Sequence, residues 1–572
     1  MTTMRVLSAA ERLEMLRLMW PQHVGSADHP DTLRWYQQGF EFQAPSSDFP
    51  LGLVQGHGGP CGVLAAVQAE ILRLFLFEYH EVQRRLANTT SANSETRVPA
   101  AEDSHKTLQE LIAHVAQARE SGQNALLTEA IASVLLRCSK RQRETRGAIQ
   151  QQQRAIHIVT QSDIDNIAVV AEGGEGPVYR ETVVQVTTHK DPDLLRIIHE
   201  HLSAYQSPHG VMNFMFSALR TKGVEAIRSE MDDLEAAFTG QFGHCSQELL
   251  NFLLTGSAVS NVFDGSVPMG DSGLMLHGIP ERSRIGYLTH LEALRYCQVG
   301  SYYKSPIYPV WVIGSTSHFS VCFGLDPAIC EESTSQMLFQ RVQRVFKSFD
   351  SMETGFMDIS ILTESLQQLG VDQEILSNEY WMARLLARLE VAGAGIVLWD
   401  EYWKVISVLL HTGDFELALS GGYQSSGDAE GAQQTQQRPR SDSDIARELQ
   451  AQFDLEGSGA GAVSSPTPSS SQPTTAPDLQ QPVVDEEFEL YYYNGLGSSS
   501  SGTGGSNGPR RPQLAKCRIT VPKKVDFIGK SVAIFETGTS GGYGSPPLEE
   551  IIKTKWTSAR IDWHGQPVPS ID

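Results

Sequence analysis

Residues 53–72 read LVQGHGGPCGVLAAVQAEIL, and the passage from a glycine-rich turn into an apolar run at Cys61 decides how the rest of the chain is read. Gly56, Gly58 and Gly59 permit tight backbone geometry, and Pro60 fixes its own φ. The residues after Cys61 (Val63, Leu64, Ala66, Val67, Ile71) predict a helix. Cys61 then stands at a helix N-terminus, where the macrodipole and free N–H groups favour a thiolate. A small buried cysteine beside a glycine turn is the alternative.

Acyl transfer by a thiol needs donors for the developing oxyanion. The Cys61 N–H offers one, and an amide just upstream offers another. Gln55 precedes Cys61 by six residues, the separation used by papain-like thiol proteases. The thiol also needs a base. Of 17 histidines, His318 has the best local setting, at the turn of GSTSHFSVCF, where a rigid strand start can hold an imidazole. Cysteine first and histidine far downstream is the papain-like order. A polar turn histidine is the alternative for His318. His57 is a rival base, although a residue in the same tight loop would struggle to reach the thiol. Asp326, eight residues after His318, could orient the imidazole if the strand ran that far, a condition that Gly324 works against. An ordinary solvated aspartate is the other reading of Asp326.

Outward from this centre, 572 residues imply two to four domains. The net charge of −22 excludes a nucleic-acid binder acting through bulk charge. Cys61, Cys138, Cys245, Cys297, Cys322, Cys330 and Cys517 form an odd set without a CxxC pair, so neither a disulfide framework nor a zinc knuckle is expected. A reducing compartment, cytoplasmic or nuclear, fits this usage. The first twenty residues carry Arg5, Glu11, Arg12 and Glu14 and do not read as a signal peptide. The most apolar window, 62–77, is interrupted by Gln68, Glu70 and Arg73, and is too short and too charged to span a bilayer.

Residues 108–138 and 194–254 read as helical, and 140–153 as an exposed helix or linker. Residues 179–187 read as a strand, and 310–313 with 319–323 as a hairpin around a Gly/Ser/Thr turn. Apolar spacings of three and four over 336–410 predict helices with one buried stripe. Residues 88–105 read as a loop. Composition collapses into Ser, Gly, Gln, Pro and Thr over 421–475, which predicts disorder. Strand character returns at 488–493 and 517–535, with a Ser/Gly loop at 498–507 between.

Several segments together resemble the MINDY family of deubiquitinases, most of all its EF-hand-containing third member. They are the stretch at 53–72, LLTGSAVSNVFDG at 253–265, IGYLTHLEALRYCQVGSYYKSP at 285–306, YPVWVIGSTSHFSVCF at 308–323, YYYNGLG at 491–497 and PLEEIIKTKWTSARIDW at 547–563. The resemblance implies an α+β, papain-like cysteine peptidase fold with an inserted all-α EF-hand-like domain. It implies cleavage of isopeptide bonds in polyubiquitin, with preference for chains linked through lysine 48 of ubiquitin. Cys61 becomes the nucleophile, His318 the general base and acid, and Gln55 the oxyanion-hole side chain. The partners implied are polyubiquitin chains and ubiquitinated proteins, with no nucleic acid, membrane, cofactor or metal.

Asp350 to Ile361 fits a calcium loop at its first position, central glycine (Gly355) and ninth position (Asp358). Its third and twelfth positions, Met352 and Ile361, lack ligand oxygens. A second loop from Glu390 to Glu401 has Gly395 and Glu401 but Ala392 and Ala394 where oxygens are needed. A degenerate pair kept as a helical fold is expected. The chain thus divides into 1–335, the main catalytic part; 336–412, the EF-hand-like insertion; 413–485, a disordered linker; and 486–572, the remainder of the catalytic domain. A non-catalytic ubiquitin-binding or EF-hand scaffold protein is the competing function.

Overall fold

The computed structural model describes residues 3–22, 29–45, 47–56, 58–79, 81–82, 85, 108–145, 148–153, 155–161, 179–184, 192–269, 273–332, 334–350, 354–371, 373–420, 485–496, 514–525, 531–533 and 545–572. His57, Met352, and the 88–105, 421–475 and 498–507 readings lie outside these residues.

Helix α1, Cys61–Phe77, is the centre of the molecule, with 15 of its 17 residues buried. A helix apolar nearly all round has to be covered on all sides. Helix α2, Leu108–Ser139, packs along it, and α3, Gly210–Lys222, and α4, Gln247–Thr255, complete the helical layer. The polar interruptions of α1 bond internally. Arg73 and Arg137 both clasp the wholly buried Glu70, at 2.7 and 2.9 Å, tying α1 to α2. Gln68 accepts from Leu53 N–H at 2.5 Å and donates to the Leu51 carbonyl at 3.2 Å, fastening the segment before Cys61 to the helix that follows it.

Against α1 lies a six-stranded sheet of β1, Gly286–Thr289; β2, Val310–Gly314; β3, Phe319–Phe323; β4, Glu486–Tyr493; β5, Leu514–Val521; and β6, Arg560–Asp562. Their spatial order equals their chain order. Only β1 and β2 run parallel; every other pairing is antiparallel. The hairpin register sets Val321 opposite Val312 and Ser320 opposite Ile313. The next ladder sets Val321 opposite Tyr493 and Phe323 opposite Tyr491.

The period of two divides the sheet between two cores. Val310, Val312, Val321, Phe323, Tyr491 and Tyr493 join the core around α1. Trp311, Ile313, Cys322, Leu490, Tyr492 and Ile519 face a second core, closed by α7, Pro547–Lys555, through Leu548, Ile551 and Ile552. Both faces are covered, which is why VWVI and FSVCF read as continuous apolar runs.

Between β3 and β4 the chain builds a unit with its own core. Helices α5, Thr334–Phe349, and α6, Trp399–Thr412, pack together, and the strands Phe356–Asp358 and Ile396–Leu398 pair antiparallel with Met357 opposite Val397. The Asp350 carboxylate accepts from the Thr354 N–H at 2.8 Å and the Gly355 N–H at 2.7 Å. Glu401 pairs with Arg388 at 2.7 Å and Lys404 at 2.8 Å.

Residues 140–153 differ from expectation. They form a hairpin, Lys140–Thr145 against Ala148–Gln153, rather than a helix or linker. Their sequence has no apolar face to impose a period, and the backbone ladder defines the pairing. A separate antiparallel sheet orders Thr3–Val6, Tyr179–Val184 and Ile156–Gln161 side by side. Among the described residues, no helix is long and apolar enough to cross a membrane.

Candidate active site

Cys61 opens α1. The helix N-cap is Pro60, which supplies no side-chain cap, so the positive end of the helix is not closed by a polar side chain. Gly59 has φ +120°, and a Cβ there would stand 3.1 Å from the Trp35 indole nitrogen, so this turn demands glycine. Cys61 is 1% exposed, and its Sγ lies 3.7 Å from the Gly59 carbonyl.

His318 enters from the sheet. It immediately precedes β3, and its imidazole comes within hydrogen-bonding reach of the Cys61 thiol. Its Nε2 lies 3.0 Å from the backbone carbonyl of Asn494. A carbonyl only accepts, so Nε2 carries the proton and Nδ1 of the neutral ring keeps its lone pair. The turn before His318 is braced: Ser315 Oγ accepts from the His318 N–H at 2.8 Å, and Ser315 and Ser317 hydroxyls donate to Asp572 at 2.5 and 2.6 Å.

Asn494 follows β4, and its side chain is itself anchored. Nδ2 donates to the Ser570 carbonyl at 3.1 Å, and Oδ1 accepts from the Leu496 N–H at 3.2 Å. It stands 176 residues after His318 and was missed as a site residue, although YYYNGLG contains it. Asp326 does not fill that place. It lies beyond the far end of β3, where its carboxylate caps the 3-10 turn Pro327–Cys330 by accepting from the Ala328 N–H at 2.9 Å. Five strand residues at about 3.3 Å each separate the two positions, so an even residue count places them on one face but far apart.

Gln55 is buried and lines, with Cys61, Gln68 and Asn494, a cavity of about 20 Å³. Its backbone N–H donates to the Gly495 carbonyl at 2.9 Å, so the residue after Asn494 also holds Gln55. Gln38 fastens both neighbours of Gln55, accepting from Gly56 N–H at 3.0 Å and donating to the Val54 carbonyl at 3.1 Å. Tyr493 Oη donates to the Leu53 carbonyl at 2.8 Å.

A third segment, preceding α4, completes the site, and nothing in its spacing announced it. Trp35 Nε1 donates to the Gly243 carbonyl at 2.9 Å, which draws the 239–245 loop over the Cys61 turn. Within it, Phe242 has φ 58° and is 68% exposed, whereas the side chains of His244 and Cys245 reach the Cys61 thiol.

Electrostatically, Cys61 stands apart. Hydrogen bonding from Cys245 is the largest influence on its thiol; burial opposes it, and His244 and His318 reinforce it, leaving the thiol well below its ordinary range. Burial drives the other six thiols upward, Cys138, Cys330 and Cys517 to about 12. Burial works to lower His318, but its hydrogen bond to Cys61 and that group's charge outweigh it, and the imidazole is raised. The arrangement favours a thiolate beside an imidazolium. Among the described residues, no group of three or more His, Cys, Asp or Glu side chains could hold a metal ion.

Comparison with known proteins finds deubiquitinating enzymes. The family model "Deubiquitinating enzyme MINDY-3/4, conserved domain" matches residues 23–343. Ubiquitin carboxyl-terminal hydrolase MINDY-3 of Homo sapiens is 32% identical over 399 residues, covering 67% of this chain and 80% of that protein. The Xenopus tropicalis MINDY-3 is 30% identical over 387 residues, with the same coverage of 67% and 80%. The probable ubiquitin carboxyl-terminal hydrolase MINDY-4 of Mus musculus is 32% identical over 309 residues, covering 53% of this chain and 36% of that protein. No solved structure matches the chain.

Proposed function

The chain belongs to the MINDY-3/4 family of deubiquitinating enzymes, and from that premise we propose that it cleaves isopeptide bonds in polyubiquitin, preferring lysine-48-linked chains, by Cys61–His318 catalysis. It is a deubiquitinase of the ubiquitin carboxyl-terminal hydrolase type. The observation that carries the proposed chemistry is that Cys61 stands at the start of α1 within reach of the His318 imidazole, and that among the seven cysteines its thiol alone is lowered.

In this reading Nδ1 of His318 takes the Cys61 proton, while the Asn494 carbonyl holds the ring by Nε2. The thiolate attacks the carbonyl carbon of ubiquitin's C-terminal glycine. The Gln55 side chain and the Cys61 N–H stabilise the oxyanion. Collapse breaks the isopeptide bond, the imidazolium protonates the leaving lysine amine, and water hydrolyses the thioester. Asn494 takes the orienting role first considered for Asp326. A thiol at a helix start facing a histidine on a sheet supports a papain-like catalytic unit.

That unit comprises residues 1–335 and 486–572, with 336–412 as a degenerate EF-hand-like insertion. The ladder between β3 and β4 supports the split of the catalytic unit. The insertion's separate core reaches past 412: Phe415–Leu419 is a helix that buries Phe415 and Ala418 in it, so 413–419 belongs to the insertion and not to the linker expected from 413 onward. Seven unpaired thiols support a reducing compartment, cytoplasm or nucleus.

A panel of diubiquitins and longer chains of each linkage tests the assignment. Lysine-48-linked chains are expected to be cut, and Cys61→Ala to abolish cleavage while retaining chain binding. Undiminished hydrolysis by Cys61→Ala would overturn the nucleophile. Chain binding without cleavage by the wild-type protein would favour a scaffold instead.

A further inference from the structure

Cys245 makes and breaks no bond in the hydrolysis just described, yet its side chain bears on the Cys61 thiol. Its Sγ is 3.5 Å from the Gly59 carbonyl, and the Cys61 Sγ is 3.7 Å from the same oxygen. A Cβ placed on Gly62 would stand 2.9 Å from both Cβ and Sγ of Cys245, so the Cys245 side chain rests on the peptide following Cys61. Of the neighbouring groups, Cys245 has the largest influence on the Cys61 thiol. Trp35 anchors the Cys245 loop at Gly243, and an antiparallel bridge pairs Thr239 with Cys245. The backbone that carries Cys245 is therefore held against the Cys61 turn by the fold.

We propose that Cys245 is a resolving thiol that captures oxidised Cys61 as an intramolecular disulfide, which makes the pair a reversible peroxide-modification site. This rests on Cys61 being the reactive thiol of the site. Hydrogen peroxide is the oxidant. In the first step the Cys61 thiolate attacks one peroxide oxygen; the O–O bond breaks, an S–O bond forms, and hydroxide leaves, giving the sulfenic acid. In the second, Cys245 sulfur attacks the Cys61 sulfur. An S–S bond forms, the S–O bond breaks, and the departing oxygen leaves as water with the Cys245 proton. Two thiols lose two electrons in all, and peroxide is reduced to two waters.

The surroundings favour this course over deeper oxidation. The cavity beside Cys61, about 20 Å³, exceeds the roughly 10–15 Å³ that a single water needs and is on the scale of a small oxidant. Burial and the neighbouring Cys61 keep the Cys245 thiol protonated, so Cys61 reacts first and Cys245 second. Reduction by an external dithiol then releases Cys61 by thiol–disulfide exchange.

Full-length protein treated with hydrogen peroxide, digested without reductant and mapped by mass spectrometry provides the test. Hydrolysis of lysine-48-linked diubiquitin is followed in parallel, before and after dithiothreitol. The expected result is a Cys61 peptide joined to the Cys245 peptide, two hydrogens lighter than their sum. Activity should fall at least about tenfold and return to within about twofold of the untreated sample with dithiothreitol. In Cys245→Ser the linked peptide should vanish, Cys61 should proceed to sulfinic acid, and dithiothreitol should no longer restore that variant to its own untreated activity.

Wild-type Cys61 found as sulfinic or sulfonic acid with Cys245 still a free thiol would overturn the inference and leave the hydrolase reading standing. Cys61 untouched by both peroxide and a ubiquitin C-terminal electrophile would overturn both. Peptide mapping of the wild-type chain decides the matter even if the variant fails to fold.

Discussion

The active-site geometry depends on residues that never meet the substrate. Gln38 is 5% exposed, and its amide holds the backbone on both sides of Gln55 while also donating to the Gly39 carbonyl at 2.6 Å. Gln38→Ala removes all three bonds and leaves buried backbone groups unsatisfied, at a cost of about 1–3 kcal/mol. Misplacing Gln55, the proposed oxyanion donor, should lower kcat by about tenfold to a hundredfold with little change in KM. Alkylation of Cys61 should proceed at its wild-type rate, because the thiol's own partners remain. Diubiquitin kinetics together with iodoacetamide labelling separate these effects, and a parallel loss of thiol reactivity would count against a role confined to Gln55. Asn494 makes a complementary point. Its backbone carbonyl receives the imidazole N–H at 3.0 Å and its side chain also bears on the ring, and a residue 176 positions away in sequence carries no local signal for that role.

Helix α1 carries both Cys61, the proposed nucleophile, and the buried charge cluster around Glu70. Burial works to raise the Glu70 carboxyl, but Arg73 and Arg137 outweigh it and hold the group at about 2. A folded value below the ordinary 4.5 means that Glu70 stabilises the native state fully above that pH and progressively less as pH falls towards 2. Glu70→Gln strands two buried guanidinium groups from a shared partner and should destabilise by about 3–5 kcal/mol near neutrality. Denaturant unfolding of both proteins should show that gap narrowing between pH 5 and pH 3. A gap independent of pH would mean that lost packing, not lost charge, causes the effect. The same helix explains a feature of the 62–77 window. Its polar and charged interruptions, which excluded a membrane span, are internal ties to α2 and to the 51–53 segment.

Across the whole molecule, the sheet joins distant parts of the chain. Strand β4 pairs with β3, supplies Tyr491 and Tyr493 to the core around α1, and leads directly into Asn494. A chain ending at residue 335 would expose β3 as an edge strand and lose the partner of His318. It should show no diubiquitin cleavage and no cooperative thermal transition; cleavage within tenfold of the full chain would refute the split catalytic unit. The sequence by itself determined the setting of Cys61, because a helix start, its glycines and a glutamine six residues upstream are local facts. It also determined the β2–β3 hairpin, the later strand return and the helical stretch at 336–410, where residue periodicity carries the signal. Residues 140–153 escaped for the converse reason: without an apolar face they have no period to read. Only the tertiary structure decided what surrounds the thiol. Asn494, His244 and Cys245 are brought to Cys61 by strand register and by a loop anchored at Trp35. Asp326, nearer to His318 in sequence, is carried away because an extended strand separates its two ends. Local chemistry is written in adjacent residues, whereas proximity across long loops is settled by which surfaces must be buried together.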